Sequence, residues 1–538
     1  MLASFLLKEG DHGEPWLVRK AMAVYAPVLR RALAKERVVI VGALVMLLLA
    51  AGVYTLIGKA FMPEMDEGDL IMQVTKLPSI NLATSVEMDS RIQQAILKAV
   101  PDIKGIVARA GADELGLDPM GLNETDTFLV LKPPAEWQSK NKSDIVNEVR
   151  KVMGDFPGVE YSFTQPIAMR VSEMLTGARG DIAVKIFGSD LTKLNDTAEQ
   201  MVKVLAGIKG SEDVFTVKNS GVQYYRVAID RLAAGRLGLS VDEIANTLRG
   251  QIEGQQLGMV IEGGRRTPLI MRGELDVQDS PALFAALTLS LPNGQNVPLS
   301  VVAKLERVDG PVKVDRENGS RMVVVQSNVR GRDLVGFVDE AKAAVAAKIK
   351  LPEGYRLTWG GQFENQQRAA ARLAVVVPVA LGMIFMLLFA TFGSVRQAAL
   401  VLTNIPFALI GGVVALWVSG EYMSVPASVG FIALLGIAVL NGVVMVSYFN
   451  QLHTEGMDMT QVVFEGAKRR LRPVLMTASI TAFGLLPVLF ASGPGSEIQK
   501  PLAIVVTGGL ISSTLLTLIM LPILYRRFGI APVEKSHA

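Results

Sequence analysis

The chain has 538 residues, half of them hydrophobic and only 20% charged, which is too apolar for a soluble enzyme of this size and suits a protein divided between lipid and water. A net charge of +3 is too small to point to nucleic acid and leaves the basic residues to be read locally, at membrane borders. With no cysteine, disulfides and thiolate metal sites are excluded.

Residues 1–37 read as a cytoplasmic lead-in. The apolar run near Met1 is too short for a signal peptide. The following LVRKAMAVYAPVLRRALAKER is basic and amphipathic, as expected of a helix lying on a membrane surface. Residues 38–57 form the first apolar span. Arg30, Arg31, Lys35 and Arg37 crowd its start and place that end inside.

From 58 to 372 the composition turns soluble, and the first span delivers this block to the outside. Its pattern alternates strand and helix. LIMQVTKLP (70–78) alternates as a strand, 81–100 carries helical spacing, FLVLKP (128–133) is strand-like, 142–153 helical, and VEYSFTQPI (159–167) a strand again. A second cycle starts at DIAVKIFG (181–188) and runs through helix 191–208, VFTVKNSG, YYRVAID and helix 241–252. The pattern predicts two ferredoxin-like βαβ units. The first spans 66–180, and the second 181–252 together with 310–364. The Gly-rich stretch 253–309 reads as a separate insert.

Five further spans are expected at 373–392, 398–418, 424–449, 473–491 and 501–525, followed by a cytoplasmic tail at 526–538. The borders agree with this topology: Arg396, the cluster at 468–472, Arg526 and Arg527 all fall on the inner side. The span 430–450, GFIALLGIAVLNGVVMVSYFN, carries small residues for close helix approach and one central amide, Asn441. A polar group at that depth needs a partner within the bundle or beside a water-filled cavity.

Several strings carry a family resemblance: FMPEMDEGD (61–69), GLDPMGLNETDTFLVLKP (116–133), EMLTGARGDIAVKIFG (173–188), WGGQFE (359–364), RRLRPVLMT and FASGPGSEIQKPLA. With the order of spans, they resemble the second half of a resistance–nodulation–division efflux transporter of the heavy-metal, cobalt–zinc–cadmium type. The resemblance implies an α-helical bundle of six spans with an α+β periplasmic domain, in a bacterial inner membrane. It implies a proton-driven exporter of divalent cations, with no resident cofactor and no catalytic residues. The implied partners are two further copies in a homotrimer, the missing N-terminal half, a periplasmic adaptor and an outer-membrane channel, with 253–309 as the docking region. A truncated remnant of such a pump and an exporter of organic compounds are the alternatives.

The resemblance also implies sites. Three metal-binding methionines of the copper and silver branch correspond to Glu124, the pair Glu173 and Met174, and Leu239. Carboxylates in place of thioethers shift preference toward Zn²⁺, Co²⁺, Ni²⁺ or Cd²⁺. Asp242 and Glu243 are candidates to complete the set, although SVDEI (240–244) also fits a helix N-terminus capped by Ser240. Asp118 and Met120 read as loop geometry. Asn441 lies where the first half would carry a relay aspartate. It is read either as a packing amide or as a hydrogen-bond partner of the other half's relay. The acid and lysine that the copper branch carries in its second half correspond to Leu440 and Val474. No Asp, Glu, Lys, Arg or His falls inside the six expected spans, so the proton-coupling charges are expected elsewhere.

Overall fold

A computed structural model describes residues 16–63, 65–112, 120–170, 180–216, 221–274, 280–491, 493 and 495–529. Six helical segments are long and apolar enough to cross a membrane. They are α2 (Glu36–Leu56), α10 (Gln362–Phe392), the pair α11 (Val395–Leu402) and α12 (Asn404–Ser419), α13 (Val425–Thr454), α14 (Met459–Leu489) and α15 (Ser496–Phe528). Each expected span is present. The helices around the second, fourth, fifth and sixth continue several residues beyond the apolar core, because their charged ends remain helical in water.

Small residues set the centre of this bundle. A Cβ on Gly411 would meet the backbone oxygen of Gly508 at 2.2 Å, and one on Gly509 would meet Leu434 Cδ2 at 2.0 Å. Glycine therefore lets α12, α13 and α15 approach backbone to backbone, and close packing replaces the hydrophobic driving force that lipid removes. Around this centre the most apolar windows of α2, α10 and α14 are only 11%, 6% and 11% buried, against 56% for α11–α12 and 61% for α15. Those three helices offer their apolar surface to lipid or to another protein. The preceding helix α1 (Trp16–Ala34) lies on the bundle, burying Tyr25, Leu29, Ala32 and Leu33. Its Tyr25 hydroxyl donates to the Leu518 carbonyl at 2.7 Å, and Arg526 donates to the Leu33 carbonyl at 2.9 Å.

Between α2 and α10 lie two ferredoxin-like units. The first comprises β1 (Leu70–Thr75), α3 (Leu82–Ala99), β2 (Ile103–Ala110), β3 (Glu124–Leu131), α4 (Lys142–Met153) and β4 (Glu160–Thr164), with antiparallel sheet order β2-β3-β1-β4. Ile92 and Ile96 of α3, with Ile145 and Val149 of α4, pack on Leu70, Met72 and Val74. The second comprises β5 (Ile182–Phe187), α5 (Leu191–Ala206), β6 (Ser211–Thr216), β14 (Ser320–Val329), α9 (Leu334–Lys348) and β15 (Arg356–Gly361). Here β14 lies between β5 and β6, and β15 pairs with the other edge of β5. The core faces of α5 and α9 meet Ile182, Val184, Ile186, Val323 and Val325.

A third body interrupts the second unit between β6 and β14, and its extent differs from the expected one. β7 (Val222–Ile229) pairs along its whole length with β12 (Ala303–Gly310), not with the β5 sheet. After α6 (Arg231–Arg236), Ile244 and Leu248 of α7 (Val241–Ile252) bury against Phe284, Leu287 and Leu299. Residues 222–252 therefore share a core with the body expected at 253–309 and not with the second unit. Strand periodicity announces β7 but does not say which partner its hydrogen bonds choose. An exposed hairpin, β8 (Gln255–Glu262) and β9 (Arg265–Met271), extends from this body.

Candidate functional site

Two cavities among the described residues stand out as able to hold a ligand. One of about 610 Å³ lies among α2, α10, α12 and α13 and is lined almost wholly by apolar side chains. The other, of about 420 Å³, lies at the foot of the two α/β units, where they meet the outer end of the bundle. The larger space has little beyond lipid-like chemistry to offer. Its lining has one charged side chain, Lys59, whereas the smaller gathers several of both signs.

Asp181, just before β5, organises this foot. Its Oδ1 accepts from Gln362 Nε2 at 3.0 Å, and its Oδ2 accepts from the Val329 amide at 3.0 Å and Arg330 Nη1 at 3.1 Å. The Gln362 amide also donates to the Asp181 carbonyl at 2.9 Å. Gln362 is the first residue of α10, so one carboxylate joins the end of β14 and the edge of the second unit to a membrane helix. Gly361 makes the turn between them at φ +85°, and a Cβ there would meet the Asp181 carbonyl oxygen at 2.5 Å. Glycine fits both demands. On the bundle side Lys500 of α15 pairs with Glu421 at 3.3 Å.

The two units are themselves tied. Asp213, in β6, accepts from the Phe163 amide at 3.2 Å, from Asn328 Nδ2 at 3.2 Å and from Arg150 at 2.7 Å. Its φ of +49° is a conformation that aspartate tolerates better than most residues. The loop after α2 adds a second tie to the bundle: the Val335 amide donates to the Lys59 carbonyl at 3.4 Å, and the Met423 amide to the Gly58 carbonyl at 2.8 Å.

The residues singled out in the sequence fall in different places. Glu124 opens β3 and is almost buried; the Gly121 amide donates to its Oε2 at 3.4 Å, and Lys313 approaches Oε1 at 3.9 Å. Glu173 and Met174 lie outside the described residues, as does Asp118. Leu239 is buried in the core of the third body. Glu243 closes a capping box at the start of α7: its amide donates to Ser240 Oγ at 3.1 Å, and its Oε2 accepts from the Ser240 amide at 2.8 Å. The hydrogen bonds from Ser240, the backbone amide first, hold its carboxyl below the ordinary glutamate range. Asp242 sits beside it in the same first turn. Among the described residues no three His, Cys, Asp or Glu side chains come together as a metal set, so Glu124, Asp242 and Glu243 do not form one. Met120 is buried, with Arg109 Nη2 at 3.4 Å from its sulfur.

In the bundle, Asn441 is buried among the helices of this chain, while its neighbour Leu440 is 55% exposed. The face of α13 that looks outward carries Val429, Ala433, Gly436 and Leu440. Asn441 points away from it. Asn404 of α12 is near: its Nδ2 would lie 2.6 Å from a Cβ on Gly442. Helical rotation decides this, since adjacent residues differ by about 100° of the helix circumference. The sequence had given no signal for Asp181, Asp213 or Asn328; their roles need two distant strands brought together.

Six membrane-length helices, with two ferredoxin-like units and a third body inserted between the first and second of them, define a multi-pass membrane protein of the resistance–nodulation–division class. Residues 1–529 match the AcrB/AcrD/AcrF family, and the chain belongs to it. It is 42% identical to the "Cation efflux system protein CzcA" of Alcaligenes sp. (strain CT14), over 98% of this chain and 50% of that protein. It is 30% identical to the "Cation efflux system protein CusA" of Escherichia coli (strain K12), over 95% of this chain and 50% of that one. A crystal structure of a heavy metal efflux pump superposes with a TM-score of 0.83 at 35% identity, covering 95% of this chain and 52% of the pump. The chain spans about half the length of the curated relatives it matches.

Proposed function

We infer that this chain is the second-half portion of a proton-driven exporter of divalent heavy-metal cations of the Zn²⁺, Co²⁺, Cd²⁺ and Ni²⁺ class. The observation that carries the reading is the 42% identity to a cation efflux protein across nearly the whole chain. The chain works in a bacterial inner membrane with its α/β units in the periplasm. It forms a homotrimer and meets a periplasmic adaptor and an outer-membrane channel through the units and the third body.

The cation is cargo, and its contact on this chain centres on Glu124, with Glu173 and Met174 in the adjoining family-like strings. Carboxylate oxygens suit borderline divalent ions held weakly enough to be released. Lys313, the counter-charge of Glu124, must give way when a cation arrives. Asp242 and Glu243 serve as the helix start and not as ligands. The charges that couple export to protons come from the companion six-span segment, a reading supported by residues 425–450 and 502–525, which contain no Asp, Glu, Lys, Arg or His.

The test is export from a metal-sensitive host. The chain supplied together with a companion half carrying intramembrane aspartates should restore growth on zinc or cobalt. Restoration by this chain alone would remove the assigned division of labour, and no restoration in either case would remove the transport reading.

A further inference from the structure

Arg469 and Arg470 of α14 converge on a single ring of α13. Arg469 Nη1 donates to the Tyr448 hydroxyl at 3.3 Å, and the Arg470 guanidinium lies 4.4 Å from the centroid of the same ring. Two cations held this close repel each other unless an anion stands between them. Among the described residues no carboxylate lies within ion-pair distance of either guanidinium. Glu465 and Glu455 act on Arg469 only from beyond that distance, and Glu465 is shared with Lys468 at 3.4 Å. Arg470 Nε is buried with no acceptor. A basic residue needed only to orient a span can point into water. Arg469 is exposed and Arg470 half-buried, yet both reach the same ring.

Their depth says what the anion is. Arg469 and Arg470 stand with Arg472 just before the apolar stretch of α14 that begins at Pro473, and Tyr448 stands where the apolar run of α13 ends. Tyrosine and arginine at that level sit among lipid headgroups. Guanidinium forks match phosphate oxygens two at a time, and basic pockets between membrane helices favour anionic lipids.

We propose that the α13–α14 groove at Tyr448, Arg469 and Arg470 binds the phosphodiester headgroup of an anionic phospholipid. The lipid neutralises the two guanidiniums and bridges α14, whose outer surface is little covered, to the centre of the bundle. The site makes no use of the cargo reading, so it stands or falls separately.

The experiment places the full chain in nanodiscs of phosphatidylcholine alone, or of phosphatidylcholine with cardiolipin. It reads the lipid retained on release by native mass spectrometry and the thermal midpoint. The wild type should retain cardiolipin and unfold at higher temperature in its presence. Arg469→Gln with Arg470→Gln should lower retention about thirtyfold, from about 1 kcal/mol per basic residue near an anionic surface. Arg396→Gln, another basic border residue, should leave retention unchanged. If the double variant fails to fold, Arg470→Lys keeps charge but loses the fork and should lower retention partially. Equal retention by wild type and the glutamine variant, or no preference for cardiolipin in the wild type, overturns the proposal. An equal loss in Arg396→Gln reassigns the effect to diffuse charge and overturns it too. Inorganic phosphate raising the midpoint as much in phosphatidylcholine discs would make the anion aqueous and overturn the lipid assignment.

Discussion

Arg150 of the first ferredoxin-like unit reaches Asp213 of the second at 2.7 Å, and the Asp213 side chain is only 3% exposed. The same carboxylate takes hydrogen bonds from both units, so the two move as one body unless this contact is broken. Removing one partner of a buried pair leaves an uncompensated charge, which typically costs 3–5 kcal/mol; with Arg150 partly exposed, about 2 kcal/mol is the reasonable figure here. Arg150→Ala should therefore lower the thermal midpoint clearly. It should also increase hydrogen exchange at the Phe163 amide while leaving the membrane helices protected. Unchanged exchange at that amide would show that other contacts hold the units together.

Asp181 links the second unit to α10. Asp181→Ala should cost about 1–3 kcal/mol through the unpaired donors it leaves behind. Its larger effect should fall on export, because the joint between unit and helix keeps only its backbone link and loses the side-chain contacts that stiffen it. Transport measured per folded molecule in proteoliposomes, with the companion half present, should fall more than the folded fraction does.

Asp102 supplies a pH dependence. Burial raises the pKa of its carboxyl, but hydrogen bonds from Ser139 and the Gln138 amide outweigh this and hold it below the ordinary aspartate value of 3.8. A carboxyl depressed in the folded state contributes stability that is fully present above the unfolded value and is lost as pH falls through the folded one. Stability should therefore decline below the ordinary aspartate value. Asp102→Asn should flatten that part of the curve, as read by the thermal midpoint against pH. An identical acid limb in the variant would assign the decline to other carboxylates.

Glycines of the bundle divide into two kinds. A Cβ at Gly509 would press on Leu434 and Ala408, whereas one at Gly436 would meet nothing within 4 Å. Gly509→Ala should cost about 1–3 kcal/mol by overpacking, and Gly436→Ala should be neutral or stabilising by up to about 1 kcal/mol through helix propensity. Thermal midpoints in detergent distinguish them. A companion half packed on the outward face of α13 would reverse the second expectation when both halves are assembled.

For the cargo contact, Glu124→Gln should abolish most zinc or cobalt export, while Asp242→Asn should not affect it. Ser240→Ala should cost about 1 kcal/mol of stability through the lost cap and leave export per folded molecule intact. Metal sensitivity of a complemented host, with expression matched, checks all three.

The spans, their order and the two ferredoxin-like repeats were legible in the sequence. Long apolar runs and period-two or period-3.6 patterns arise from local burial, which each segment reports for itself. The capping box at Ser240 and Glu243 was legible for the same reason, since both groups lie within one turn. Tertiary structure alone decided which strand β7 pairs with, because an exposed edge carries no address. It alone turned Asn441 inward and Leu440 outward, because that depends on how α12 and α15 press on α13. The joints at Asp181 and Asp213 needed residues 50 to 181 positions apart to meet, and no local pattern encodes such distances.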